Sequence, residues 1–186
     1  MYIEETKLTG VKLVKPKRFD DHRGFFAESY NRRVYSRLGI VADFVQENYS
    51  MSKLAGTVRG LHFQAPPSAQ DKLVRCGRGS IFDVAVDIRT GSSTYGQWVG
   101  YELSAENGAQ LYIPSGFAHG FVTLEPKSEI IYKCSDYYNF KAEGSIRWND
   151  PKLGIEWPLS DASIIKVKDA RAPMLSELNS PFYFEE

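Results

Sequence analysis

Ile81-Phe82-Asp83-Val84-Ala85-Val86-Asp87-Ile88 is the stretch on which the fold class turns. It is rich in β-branched residues, contains neither Gly nor Pro, and has the length of one strand rather than of an ordinary helix. At a period of two, Ile81, Asp83, Ala85 and Asp87 fall on one face and Phe82, Val84, Val86 and Ile88 on the other. The second face is wholly apolar, and the first carries two carboxylates. Inside a barrel such carboxylates are costly unless they are hydrogen-bonded or line a wet pocket, whereas on a solvent face they are simply hydrated. Asp83 is therefore a candidate for a supporting position behind a site, with the hydrated surface as the alternative.

Outward from this stretch, runs of the same kind predict strands over residues 10–14, 24–30, 41–50, 57–64, 73–76, 98–103, 110–113, 120–124, 130–135 and 164–167, with the quoted strand covering 80–88. Aromatic content of 13% and repeated Gly, Pro and Asn breaks point the same way, to a mostly-β sandwich or barrel. Helix is scarce. Residues 31–39 predict one, with Asn31 as cap, Val34, Tyr35 and Leu38 at helical spacing, and Gly39 suited to a left-handed end; a second short helix is expected near 160–164. The 66–69 stretch reads as an exposed loop, and the packing of the tail from 171 onward carries no clear period.

At 186 residues the chain is long enough to bury a full core, and residues 1–186 read as a single domain. The 23 basic and 23 acidic side chains balance, so no whole-protein field argues for nucleic acid or an anionic membrane, and any anion binding must be local. No apolar run approaches the ~20 residues that span a bilayer, which leads to the expectation of a cytoplasmic protein. Cys76 and Cys134 are isolated and read as reduced, packed thiols.

The chain has three histidines, and His62 sits in Arg59-Gly60-Leu61-His62-Phe63-Gln64, ten residues before Lys72. A lone histidine among apolar neighbours is commonly a hydrogen-bonded core residue. Here three basic groups lie close together in strand-like sequence, which suits an anionic substrate. An ideal strand would put Arg59 and His62 on opposite faces, and a bulge at Gly60 would bring them together. His119 lies in a Pro-Gly corner, Ile113-Pro114-Ser115-Gly116-Phe117-Ala118-His119-Gly120-Phe121, and Tyr132 follows among Ile130, Ile131 and Cys134. A His, a Tyr, a Lys and a carboxylate suggest proton transfer at a carbon made acidic by a neighbouring carbonyl: His62 as base, a carboxylate on its second nitrogen with Asp169 as one candidate, Lys72 on the enolate oxygen, and Tyr132 returning the proton from the other side. The spacing of His62 and His119 argues against a metal site, and no Ser stands in a nucleophile elbow.

These segments carry a resemblance. Asp21-His22-Arg23-Gly24-Phe25-Phe26-Ala27-Glu28, Gln46-Glu47-Asn48-Tyr49-Ser50, Arg59 to Gln64, Lys72-Leu73-Val74-Arg75, Phe82 to Arg89, Ile113 to Phe121, Tyr132-Lys133 and Trp148-Asn149-Asp150-Pro151, in this order, resemble the dTDP-4-dehydrorhamnose 3,5-epimerase family from about residue 10 to 175. The resemblance implies a cupin-type jelly-roll barrel with a few short helices, no metal, no cofactor, and a homodimer that exchanges N-terminal strands. It implies a dTDP-4-keto-6-deoxyhexose substrate inverted at C3 and C5, with His62 as proton acceptor, Tyr132 as donor, Asp169 orienting His62, and Lys72 at the oxyanion. It further implies substrate contacts from Arg23, Glu28, Gln46, Asn48, Arg59, His119 and Glu143, and a nucleotide contact from Lys168 or Arg171. Asp71 stands where the family commonly has glycine, and Glu47 where it often has aspartate. A single-centre epimerase and a non-catalytic nucleotide-sugar binder are the rival readings.

Overall fold

A computed structural model describes residues 1–158 and 164–184. Its strands in chain order are β1 (Tyr2–Glu5), β2 (Lys12–Lys15), β3 (Arg18–Asp21), β4 (Gly24–Ala27), β5 (Gln46–Ser52), β6 (Thr57–Gln64), β7 (Lys72–Arg78), β8 (Ser80–Asp87), β9 (Trp98–Ser104), β10 (Gln110–Ile113), β11 (Phe117–Thr123), β12 (Ser128–Cys134), β13 (Glu143–Ser145) and β14 (Ile164–Ile165), with helices α1 (Arg32–Arg37) and α2 (Val167–Ala170). They form one sheet in the order β1-β2-β10-β7-β12-β5 and a second in the order β13-β6-β11-β8-β9, with β14 added beside β6, while β3 and β4 pair only with each other. All pairings are antiparallel except β14 with β6. The expected mostly-β jelly-roll barrel is what the chain adopts.

The two sheets close on a core of Leu13, Val74, Leu111 and Ile130 from the first, and Ile81, Ala85, Phe117 and Phe121 from the second. The carboxylate-bearing face of β8 therefore looks into the barrel. Its wholly apolar face looks outward, where Val84, Val86 and Ile88 are covered by Ile146, Leu153, Leu175 and Phe182. Burial of each such side chain contributes about 1.5–3 kcal/mol, and it ties this mostly irregular segment to the sheet. The hydrated-surface reading of Asp83 and Asp87 is thereby corrected, because both carboxylates are fully buried. Asp87 is satisfied locally by Arg89, Ser92 and Thr94.

Helix α1 forms where expected. The Asn31 side chain accepts from the backbone N–H of Arg33 and Val34, and Gly39 takes the left-handed conformation that follows the helix. Its buried Tyr35 packs with Val14, Ile40, Leu73 and Tyr112 on the outer face of the first sheet. That packing also explains one misplaced boundary. The strand expected from residue 41 begins only at Gln46, because Ala42 and Phe44 turn inward to the same cluster. The strand expected over 164–167 stops at Ile165, since Val167 opens α2. The helix expected near 160–164 falls on residues 159–163, outside the described residues, apart from Ile164, which is strand. The tail is packed after all, with Ala172, Leu175, Ser180 and Phe182 buried. Cys76 and Cys134 are buried free thiols.

Candidate active site

Strand β6 supplies Arg59 and His62, and its backbone determines how they point. His119 pairs with His62 and Phe121 with Arg59, so Gly120 alone on β11 faces both Gly60 and Leu61. This is the bulge expected at Gly60, and it turns Arg59 and His62 into one cleft. Glycine is required at this point. Gly60 has φ +126°, and a Cβ there would lie 2.5 Å from the Gly120 Cα and 2.8 Å from the His119 carbonyl oxygen. With left-handed strain and a backbone clash combined, Gly60→Ala costs about 2–5 kcal/mol, read as a lowered urea midpoint with an unchanged slope. A midpoint equal to that of the parent protein would show that the bulge can be rebuilt without glycine.

The cleft encloses about 390 Å³ at one end of the space between the sheets. His62 and His119 enter it from the second sheet, and Lys72 on β7 and Tyr132 on β12 from the first. Asp169, buried in the single-turn helix α2, lies behind His62, with its Oδ1 2.9 Å from His62 Nε2. Its Oδ2 accepts the Gly60 N–H at 3.4 Å. Burial alone would raise the Asp169 carboxyl, but the His62 hydrogen bond, the Gly60 amide and the nearby Lys168 charge together hold it below the usual carboxylate range. An ionised Asp169 only accepts, so Nε2 of His62 carries the proton and Nδ1 is left as its basic atom.

Burial lowers the Lys72 ammonium from its ordinary value, against opposing attraction from Cys134, Asp83 and Glu143. A more acidic ammonium is a stronger hydrogen-bond donor to an oxygen that gains charge. Burial raises Tyr132, helped by Cys134 and opposed by Arg59 and the neighbouring Asn48 side chain. Tyr132 is thus a neutral phenol at ordinary pH. At the mouth, Lys168 donates to Glu143, which lowers the Glu143 carboxyl and raises the Lys168 ammonium.

Of the residues expected from the sequence, His62, Lys72, Tyr132, Asp169, Arg59, His119, Glu143 and Lys168 line this one cleft. Gln46 and Asn48 stand one layer behind. Asn48 is the cross-strand neighbour of Tyr132 and accepts from Gln46, whose Oε1 in turn receives the Tyr138 N–H. Arg171 ends α2 without lining the cleft. Arg23 and Glu28 lie apart from the cleft of their own chain. Arg23 is paired with Asp21 at the tip of the β3–β4 hairpin, and Glu28 accepts from Asn31. Asp83 sits behind His119, 2.8 Å from its Nε2. His62 and His119 do meet as neighbours across β6 and β11, but each Nε2 is engaged by a carboxylate. Ser50, Phe121 and Lys166 also line the cleft and were not expected. The first two were open to the strand period, lying two residues from Asn48 and His119, while nothing marked Lys166.

The dTDP-4-dehydrorhamnose 3,5-epimerase family matches residues 5–177. A dTDP-4-dehydrorhamnose 3,5-epimerase of Salmonella typhimurium is 53% identical over 178 residues, which are 95% of this chain and 97% of that protein. The crystal structure of a dTDP-6-deoxy-D-glucose-3,5-epimerase from Legionella pneumophila, in complex with dTDP-4-keto-L-rhamnose, superposes with a TM-score of 0.95 at 45% identity, covering 100% of this chain and 99% of that one. A dTDP-4-dehydrorhamnose 3,5-epimerase structure from Bacillus anthracis, with TDP and pyrophosphate bound, gives 0.90 at 48% identity, covering 93% and 98%.

Proposed function

The chain belongs to the dTDP-4-dehydrorhamnose 3,5-epimerase family, and from that premise we propose that His62 and Tyr132 are the base and the acid of the epimerisation. The chain is an isomerase acting on a dTDP-linked 4-keto-6-deoxyhexose. The C4 ketone of that sugar acidifies the hydrogens at C3 and C5, so the substrate itself supplies the electron sink and the reaction requires only proton transfers. Nδ1 of His62 removes the proton, the C4 oxygen gains charge against Lys72, and the Tyr132 hydroxyl delivers a proton to the opposite face, inverting the centre. The observation that carries this reading is the origin of the two groups. The His62–Asp169 pair hangs on one sheet and Tyr132 on the other, so a sugar between them meets a base on one side and an acid on the other.

Arg59, His119, Glu143 and Lys168 then contact the substrate, the Arg59 guanidinium being suited to the diphosphate by its fork geometry. Gln46 and Asn48 act through Tyr132 and Tyr138, and Arg171 serves the nucleotide end. The working unit is a homodimer of single-domain subunits. Phe19, Phe25 and Phe26 are 53%, 56% and 70% exposed on an isolated two-stranded hairpin, which has no lasting reason to stand free in water. Packed on a second copy, that hairpin brings Arg23 and Glu28 of one subunit to the cleft of the other. Two reduced buried thiols fit a cytoplasmic setting, and no helix among the described residues is long and apolar enough to cross a membrane.

The test is incubation of the protein with dTDP-4-dehydro-6-deoxyglucose in D₂O, followed by NMR at C3 and C5. Deuterium enters both positions. Entry at one centre would make the chain a single-centre epimerase, and entry at neither, with nucleotide sugar still bound, would make it a binder.

A further inference from the structure

We propose that Lys166 is a specificity-determining residue, the second arm of a clamp in which its ammonium and the Arg59 guanidinium hold the diphosphate of the sugar nucleotide. This rests on the reading of the cleft as the site of a dTDP-linked sugar. The placement follows from strand register. Strand β14 runs parallel to β6 with Ile164 beside Thr57 and Ile165 beside Val58, so the next pair along is Lys166 with Arg59. Thr57, Arg59, Ile164 and Lys166 all line the cleft, and two cations from neighbouring strands therefore share one wall of it. Local structure gives no reason for a lysine at this position. Residue 166 is the N-cap of α2, where a short side chain that accepts from backbone N–H groups is favoured, and Lys166 makes no such bond.

The remaining charges of the cleft are matched or committed elsewhere. Its two carboxylates are Glu143, which accepts from Lys168, and Asp169, which is held by His62 and the Gly60 N–H. Lys72 enters from the opposite sheet and serves the C4 oxygen. Among the described residues neither Arg59 nor Lys166 is paired with a carboxylate. Arg59 donates from Nε to Ser52 Oγ at 3.3 Å, which leaves the terminal nitrogens of its fork for a ligand. Arginine grips one phosphoryl group with that fork, and lysine meets another as a point charge. Adjacent strands lie about 4.8 Å apart, a span that two linked phosphoryl groups bridge. A monophosphate occupies one arm and leaves the other idle, so Lys166 sets a preference for the diphosphate.

Calorimetric titration with dTDP and with dTMP at low salt, where charge contacts are least screened, tests this. In Lys166→Met, which keeps most of the side-chain length and removes the ammonium, dTDP binds about tenfold more weakly, while dTMP stays within about threefold of the parent. KM for the dTDP-linked sugar rises by about the same tenfold and kcat stays within about twofold. The chemistry is spared because the Lys166 carbonyl still accepts the Asp169 N–H, which keeps α2 and its carboxylate in place. Lys166→Arg restores most of the dTDP affinity. Lys152→Met, which removes an exposed lysine outside the cleft, changes neither nucleotide. Unchanged dTDP affinity in Lys166→Met, an equal loss for dTMP, a kcat loss as large as the rise in KM, or an equal effect of Lys152→Met overturns the proposal. Lys166 is exposed, so folding is not at stake in its replacement. A parent that binds dTDP and admits deuterium, beside a Lys166→Met variant that binds as tightly, removes the Lys166 assignment alone; a parent that does neither removes the epimerase reading with it.

Discussion

His62→Ala is expected to lower kcat for epimerisation by about 10²–10⁴-fold, the share of a positioned general base, while dTDP still binds within a factor of about three. His62 Nε2 is fixed by an ionised carboxylate, which leaves Nδ1 as the basic atom on the side of the cleft opposite Tyr132. The substitution also strands Asp169, which is buried and would keep the Gly60 amide as its remaining short contact. Removing one partner of such a pair costs about 3–5 kcal/mol, so part of an apparent loss could be unfolding. His62→Asn separates the two effects, because its amide can still donate toward Asp169 but cannot accept a proton from carbon. Both variants are to be compared at equal folded fraction, with deuterium entry and product formation read together. Turnover within tenfold of the parent in the folded Asn variant would remove His62 from the mechanism.

Tyr132→Phe should separate two events that the parent enzyme couples. Proton removal by His62 continues, so deuterium still enters the substrate, whereas product with inverted centres falls by about 10²–10³-fold for lack of a donor on the opposite face. The ring is retained, so packing beside Ile130 and Val74 in the barrel core changes little, and only the hydroxyl near Asn48 is lost. Equal loss of deuterium entry and inversion would assign Tyr132 to binding or to the enolate instead.

Much of this was legible before any coordinates, and for identifiable reasons. Strands β6 and β10 begin and end where the residue pattern puts them, because their Gly, Pro and polar breaks coincide with real corners. The cap at Asn31 is local chemistry and reads directly. Strands β1, β3 and β13 were missed because they are short and largely exposed or half-buried, which erases the hydrophobic period. The orientation of β8 was not legible for the opposite reason: both of its faces are covered, so an apolar face does not mean an inward one. His62, Lys72 and Tyr132 stand out as chemistry within strands. The partnership of His62 with Asp169 spans 107 residues; chemistry alone offered Asp169 as one candidate, and the family resemblance singled it out, since neither spacing nor period connects them. Lys166 enters the cleft only because one turn of helix follows β14.

The segment that covers the outer face of β8 has a consequence for how the protein is made. His62 leaves the ribosome 107 residues ahead of Asp169, an interval of roughly 5–20 s at about 5–20 residues per second. For most of that interval Val84, Val86 and Ile88 wait for Leu153, and Leu175 and Phe182, which complete their cover, follow only after Asp169. A nascent chain is therefore a half-covered sheet bearing an unanchored histidine, a natural client for a chaperone. Closing the outer face and anchoring His62 are completed by the same stretch of chain, so catalytic competence arrives together with solubility of the newborn polypeptide.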